Sequence, residues 1–180
     1  LEFETDEITI FEGNLDGDGK AGFSFNPKLQ QDAPGMLRAR FTTRVFEEGG
    51  SFSIDRFDLP FSPYSRYVGI RPPKGDKNGL LVTDTDHSIE VATVDAKGQP
   101  LSVSQLQYRV YKINWRWWWE RTEENLGRYI SSGSSNQVAS GYISTTNGKG
   151  SFKFRIDKPE WGRYLILVND HQGGHSAATT

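Results

Sequence analysis

Leu37-Arg38-Ala39-Arg40-Phe41-Thr42-Thr43-Arg44-Val45 sets Leu37, Ala39, Phe41, Thr43 and Val45 on one row of alternate positions and arginines with Thr42 on the other. A side-chain period of two sends successive residues to opposite faces of an extended chain, so this stretch predicts a strand. The same period recurs on both sides of it. Ile8 and Ile10, then Phe23 and Phe25, precede it; Phe52 and Ile54 follow. Beyond Pro72-Pro73 it resumes at Leu81, Ile89-Val91, Leu106-Tyr108-Val110, Phe152-Phe154-Ile156 and Tyr164-Ile166-Val168. Turn signals separate these runs: Asp16-Gly17, Asp18-Gly19, Gly49-Gly50, Asn78-Gly79, Lys97-Gly98 and Asn147-Gly148. Short strands punctuated by Gly and Asn turns predict an all-β, antiparallel β-sandwich architecture. No long window keeps a capped helical period, so little helix is expected.

Two proline-rich stretches, Pro60-Phe61-Ser62-Pro63 and Arg71-Pro72-Pro73-Lys74-Gly75, bracket an expected junction. Proline fixes φ and removes a ladder donor, so such stretches sit at strand ends and linkers. The expected division is residues 1–62, the C-terminal part of one β-domain with three or four strands, and residues 63–180, a β-sandwich of its own. One segment interrupts the strand rhythm. From Glu120 to Gly150 the chain is polar, with Ser131-Ser132-Gly133-Ser134-Ser135-Asn136-Gln137 at its centre. Such composition buries too little apolar area to offset chain ordering, so a flexible insert is expected at about 120–150.

Charge narrows the partners. The 180 residues carry 21 Lys+Arg against 23 Asp+Glu, a formal charge of −2. Nucleic acid as the main ligand would need a basic surplus or stripe, and neither is present. The longest apolar run, Tyr164-Leu165-Ile166-Leu167-Val168, is far short of the ~20 residues of a membrane span. The sequence starts at Leu1 without a signal-peptide pattern, and its one methionine is Met36. It reads as a segment of a longer protein, with any targeting information outside it. Zero cysteines exclude disulfides, thiolate zinc sites and a Cys nucleophile within these residues.

Candidate chemistry is sparse. Asn14-Leu15-Asp16-Gly17-Asp18-Gly19 resembles the opening of a calcium loop, but the twelfth position, where a bidentate Glu belongs, is Phe25. A Gly-rich hairpin turn is the better reading. His171-Gln172-Gly173-Gly174-His175 has two imidazoles, yet the glycines argue against the helix that would align them and no third ligand is near. A turn following the last strand is expected, with His87 a solvated turn residue. No metal and no cofactor are expected. The serines concentrate in the polar segment, where a nucleophile would lack a fixed base and oxyanion donors. No catalytic residue is assigned, and the chain does not read as an enzyme.

The run Trp115-Arg116-Trp117-Trp118-Trp119 is the most unusual local chemistry. On a strand, Trp115, Trp117 and Trp119 face one side and Trp118 the other. Core packing combined with contact to a neighbouring domain is the favoured reading. The alternative is a carbohydrate-binding or adhesive β-sandwich that uses Trp115 to Trp119 as a stacking platform.

Tyr108-Arg109-Val110-Tyr111-Lys112-Ile113-Asn114, continuing into the Trp run, resembles the Trp-rich strand that leads into the bait region of bacterial α2-macroglobulin-like protease inhibitors. Ala33-Pro34-Gly35-Met36-Leu37-Arg38-Ala39, and Phe41 through Gly50, resemble the end of a preceding macroglobulin-type domain. Phe61-Ser62-Pro63-Tyr64 and Tyr67-Val68-Gly69-Ile70 resemble the crossing into the next one, and Trp161-Gly162-Arg163-Tyr164 through Asp170 and Gly173-Gly174 its closing strand. The resemblance implies immunoglobulin-like macroglobulin-type sandwiches in a broad-spectrum protease trap. There, target proteases cut a bait segment, the assembly changes shape and the protease is caught. It implies as partners those proteases and neighbouring domains of the same chain. It also implies a periplasmic or cell-envelope location, with membrane contact only through a lipid anchor outside this segment. A Cys–Gln thioester, which many members carry, would have to lie in another domain.

A bait has to enter a protease cleft extended and to offer varied side chains. Arg121 and Arg128 suit trypsin-like pockets, Leu126, Tyr129 and Tyr142 suit chymotrypsin-like ones, and Val138 and Ala139 suit elastase-like ones. The expected switch is an insert tethering the Trp-bearing strand to the strand that begins near Ser151.

Overall fold

The computed structural model describes residues 7–27, 33–113 and 136–180. The described elements are strands, all paired antiparallel, and none is a helix. β1 (Leu37–Phe46) and β2 (Phe52–Phe61) form a two-stranded ribbon. β3 (Arg66–Arg71), β4 (His87–Asp95) and β7 (Lys149–Phe154) form a three-stranded sheet in the order β3-β4-β7. β5 (Leu106–Ile113), β6 (Asn136–Ile143), β8 (Arg163–Asn169) and β9 (Ser176–Thr179) form a four-stranded sheet in the order β6-β5-β8-β9.

The last two sheets pack face to face, as the alternation predicts. On β4, Ile89, Val91 and Thr93 turn inward while Ser88, Glu90 and Ala92 stay out. Their row joins Val68 of β3 and Phe152 of β7 against Leu106 and Val110 of β5 and Ile166 and Val168 of β8. Ile89, Leu106, Val110 and Val168 are fully buried. β8 reads as a continuous apolar run because both its faces are buried. Ile166 and Val168 enter the sandwich core, while Leu165 joins Tyr111 and Ile113 in a second cluster on the opposite face. The crossover from β4 to β5 is fastened by buried hydroxyls. Thr93 and Thr145 are hydrogen-bonded to each other, Thr93 donates to the Leu101 carbonyl, and Thr145 Oγ1 accepts from the Val103 N–H at 3.0 Å. Hydroxyls removed from water in this way need such partners.

The ribbon is a different object. Its register pairs Leu37 with Phe61, Ala39 with Leu59 and Phe41 with Phe57 on one face, and sets Arg38, Arg40, Arg44, Arg56 and Asp58, with Phe46, Phe52 and Ile54, on the other. Phe41 and Phe57 stack at 5.1 Å. Yet β1 and β2 pair only with each other among the described residues, and Val45, Ile54, Phe57 and Leu59 are exposed.

Two sequence expectations are corrected. Three or four strands were expected before residue 62, but 7–27 contain none; Phe11 and Phe23 stack at 5.0 Å across a hairpin-like turn instead. Period two reports which residues would share a face, not whether a partner edge exists to pair with. The flexible insert expected at about 120–150 does not extend through its second half. Residues 136–143 are β6, laddered to β5 from Leu106↔Ile143 to Lys112↔Asn136, and β7 begins at Lys149. Backbone hydrogen bonds, rather than apolar content, order this strand. Its one bare position is a fit, since a Cβ on Gly141 would lie 2.8 Å from the Tyr108 ring.

Candidate functional site

β5 and β6 define the place where the polar segment departs and returns. β5 ends at Ile113, β6 begins at Asn136, and Lys112 stands opposite Asn136 in the ladder. The strand ends that flank residues 114–135 are therefore neighbours in one sheet. This replaces the expected tether between the Trp-bearing strand and a strand near Ser151: Ser151 lies in β7 of the facing sheet, and β6 intervenes. Arg121, Leu126, Arg128 and Tyr129 lie outside the described residues, as do Trp115, Trp117, Trp118 and Trp119. Val138, Ala139 and Tyr142 are on β6. Val138 and Tyr142 project into solvent, whereas Ala139 packs on the sandwich core. Ala139 and Tyr142 are paired with Val110 and Gln107 of β5, and Val138 sits at the bulge between the paired Gln137 and Ala139, so these residues are held on the sheet until β6 leaves β5.

A second constellation sits where the ribbon joins the sandwich, at the β3–β9 edge. Arg66 of β3 makes a two-pronged ion pair with Asp170, whose carboxylate also accepts from the Gly173 N–H at 3.0 Å. A Cβ on Gly173 would collide with both partners, which explains a glycine here. Burial pushes the Asp170 carboxyl upward. The hydrogen bonds from Arg66 and Gly173 and the guanidinium charge outweigh that and hold it below the ordinary carboxylate value. His175 is buried beside it. Its Nδ1 accepts from the Val68 N–H at 3.1 Å, and the rings of Tyr64 and Tyr67 meet it edge-on at 5.3 and 5.0 Å. Tyr64 in turn donates to the Ala33 carbonyl at 2.6 Å. Burial lowers the His175 pKa, against smaller upward effects of the Pro34 carbonyl and Asp170.

The profile of bacterial macroglobulin domain 6 matches residues 69–180, more than half of the chain. The chain belongs to the bacterial macroglobulin domain 6 family. The matched residues include the β5–β6 ladder and the Arg66 partner Asp170, while the ribbon precedes them. Solved structures similar to this macroglobulin chain include Salmonella α2-macroglobulin reacted with methylamine, at 19% identity over 83% of this chain and 10% of that one, with a TM-score of 0.46. Escherichia coli α2-macroglobulin activated by porcine elastase is 19% identical over 80% of this chain and 13% of that one, at a TM-score of 0.41. The native conformation of the Escherichia coli protein is 18% identical over 80% of this chain and 10% of that one, at 0.45. The chain thus spans about a tenth of the length of the proteins it resembles. No curated protein sequence matches it.

The remaining candidates take structural roles. Asp16 Oδ1 accepts from the N–H groups of Asp18 and Lys20 at 3.0 and 2.8 Å, closing the expected hairpin turn on itself. Among the described residues, no three His, Cys, Asp or Glu side chains converge on a metal position. His171 is exposed and bonds Gln107, so it does not converge with His175, and the turn between them is followed by β9. Sequence reading missed the His175 cluster because its partners are remote. Val68 is 107 residues away, and the local signal, two glycines beside a histidine, spells only a turn.

Proposed function

We propose that this macroglobulin segment is a non-catalytic part of a bacterial α2-macroglobulin-like, broad-spectrum protease inhibitor. It supplies structural β-domains and a protease-cleavable bait stretch. The single observation that carries the reading is the placement of residues 114–135 between neighbouring positions of the β5–β6 ladder in a bacterial macroglobulin domain 6. A segment anchored at both ends on a folded sheet can be cut without dissolving the domain. Its side chains Arg121, Leu126, Arg128 and Tyr129 offer substrates to proteases of different specificity. In this reading the bait is narrower than 120–150, and Val138, Ala139 and Tyr142 belong to its anchor. The ribbon's exposed apolar face supports assigning residues 1–62 to the end of a preceding macroglobulin-type domain, with residues 63–180 forming the next. The proteases would be partners of the whole inhibitor, which would work in the periplasm or cell envelope.

Limited proteolysis with trypsin-, chymotrypsin- and elastase-like enzymes, read by mass spectrometry, tests this. The first cuts are expected within 114–135, at Arg121 and Arg128 for trypsin and at Leu126 and Tyr129 for chymotrypsin. Elastase cuts at Val138-Ala139 should come later, after β6 detaches. Early cuts scattered through β3 to β9, or none within 114–135, would defeat the bait assignment.

A further inference from the structure

His175 is the one buried histidine of three, and it sits at the base of the ribbon rather than in a ligand site. Leu37 opens β1 and Phe61 closes β2 directly opposite it, so residues 33–36 and 62–65 are the two legs on which the ribbon stands. The legs are joined by the Tyr64 hydroxyl on the Ala33 carbonyl, and the Ser62 hydroxyl bonds both the Tyr64 carbonyl and the Tyr67 hydroxyl. The imidazole completes the joint. It accepts from the Val68 N–H on the side of β3 that faces β9, its ring lies edge-on to Tyr64 of one leg, and a Cβ on Gly35 of the other leg would lie 4.0 Å from its Nε2.

We propose that His175 is an acid-released clasp, whose neutral ring holds Val68 of β3 against the joint of the ribbon's legs and whose protonation at Nδ1 undoes the tie. The tautomer follows from the partners. The Val68 N–H can only donate, so Nδ1 must be bare and Nε2 carries the single proton of the neutral ring. A proton added to Nδ1 sets two donors against each other, and the ring must turn or leave. The charged and ionisable groups around the ring are few. Arg66 of β3 opposes an imidazolium and Asp170 favours one, but Asp170 is already engaged by Arg66 and the Gly173 N–H. Tyr64 and Tyr67 present rings, residues 33–36 carry no ionisable side chain, and neither does β9. Desolvation therefore faces little compensation, and the folded ring resists a proton that the unfolded chain accepts near its ordinary value. The tie is complete above that ordinary value and is lost as pH falls below it towards the lowered one.

The test is hydrogen exchange of the whole chain at about pH 7.5 and about pH 5, corrected for intrinsic rates, together with ¹⁵N spectra of the imidazoles. We expect protection at Val68 and at residues 33–36 to fall about tenfold on acidification, while Ile89 and Leu106 hold theirs. We expect a neutral Nε2–H tautomer for His175 at the higher pH. H175Q should abolish the pH response, and the double variant H87Q/H171Q should keep it. If H175Q does not fold, the imidazole titration in the unaltered chain decides. Protection unchanged by pH, a response that persists in H175Q, or a His175 ring that carries its neutral proton on Nδ1 would overturn the clasp.

Discussion

Leu59 and Ile89 are aliphatic residues on strands of one chain, each in an apolar row, yet Leu59 is 50% exposed and Ile89 is fully buried. Leu59 sits on the β1–β2 ribbon, opposite Ala39; Ile89 sits on β4, opposite Phe152 and beneath the four-stranded sheet. Alternation makes a face, but only a second layer makes a core. Among the described residues the ribbon has no second layer, whereas the two sheets from β3 to β9 close on each other.

The largest expected effect pits these two residues against each other. Ile89→Ala should destabilise the sandwich by about 2–5 kcal/mol, because it leaves a cavity in a packed interior. Leu59→Ala should cost less than about 1 kcal/mol in the same denaturant titration. Equal losses would mean that the ribbon is packed as firmly as the core, and the contrast would collapse.

The joint between the regions comes next. Asp170→Ala strips Arg66 of its partner and frees the turn before β9, at a cost of about 3 kcal/mol. The pH dependence has a definite sign. The Asp170 carboxyl is held below its ordinary value, so the pair stabilises the fold above that value. Its contribution is lost as pH falls through the ordinary carboxylate range towards the lowered value. This loss begins at the ordinary carboxylate value and that of His175 at the ordinary imidazole value, so the His175 contribution should start to fall first in a stability-against-pH profile. Asp170→Asn should remove only the later loss. If both losses survive that substitution, the pair does not set the acid limit.

Within the sandwich, Thr145→Val tests the crossover from β4 to β5. It keeps shape but leaves the Val103 N–H and the Thr93 hydroxyl short of a partner, a loss of about 1–2 kcal/mol by equilibrium unfolding. A neutral result would show that the hydrophobic contacts alone hold the two sheets together.

Much of this was legible in the residues. The inward rows of β4 and β8 follow directly from Ile89-Val91 and Tyr164-Ile166-Val168, and the family resemblance rested on Tyr108 to Ile113 and its flanks. β6 was not legible. Its Ser, Gly, Asn and Gln content reads as an unordered stretch, because edge strands draw their order from a neighbour's backbone, which a composition count does not see. The candidate residues divided along the same line: Val138, Ala139 and Tyr142 turned out to be strand positions.

By itself the sequence determined the strand class, the positions of the turns, the near-neutral charge and the family, since period, glycines, charges and motif order are local properties. The tertiary structure alone decided which apolar rows became core, that β6 joins β5, and that His175, Arg66 and Asp170 meet at the foot of the ribbon. The physical reason is sequence distance. Pairing, burial and the environment of an ionisable group depend on residues tens to a hundred positions apart, and only the folded chain brings those together.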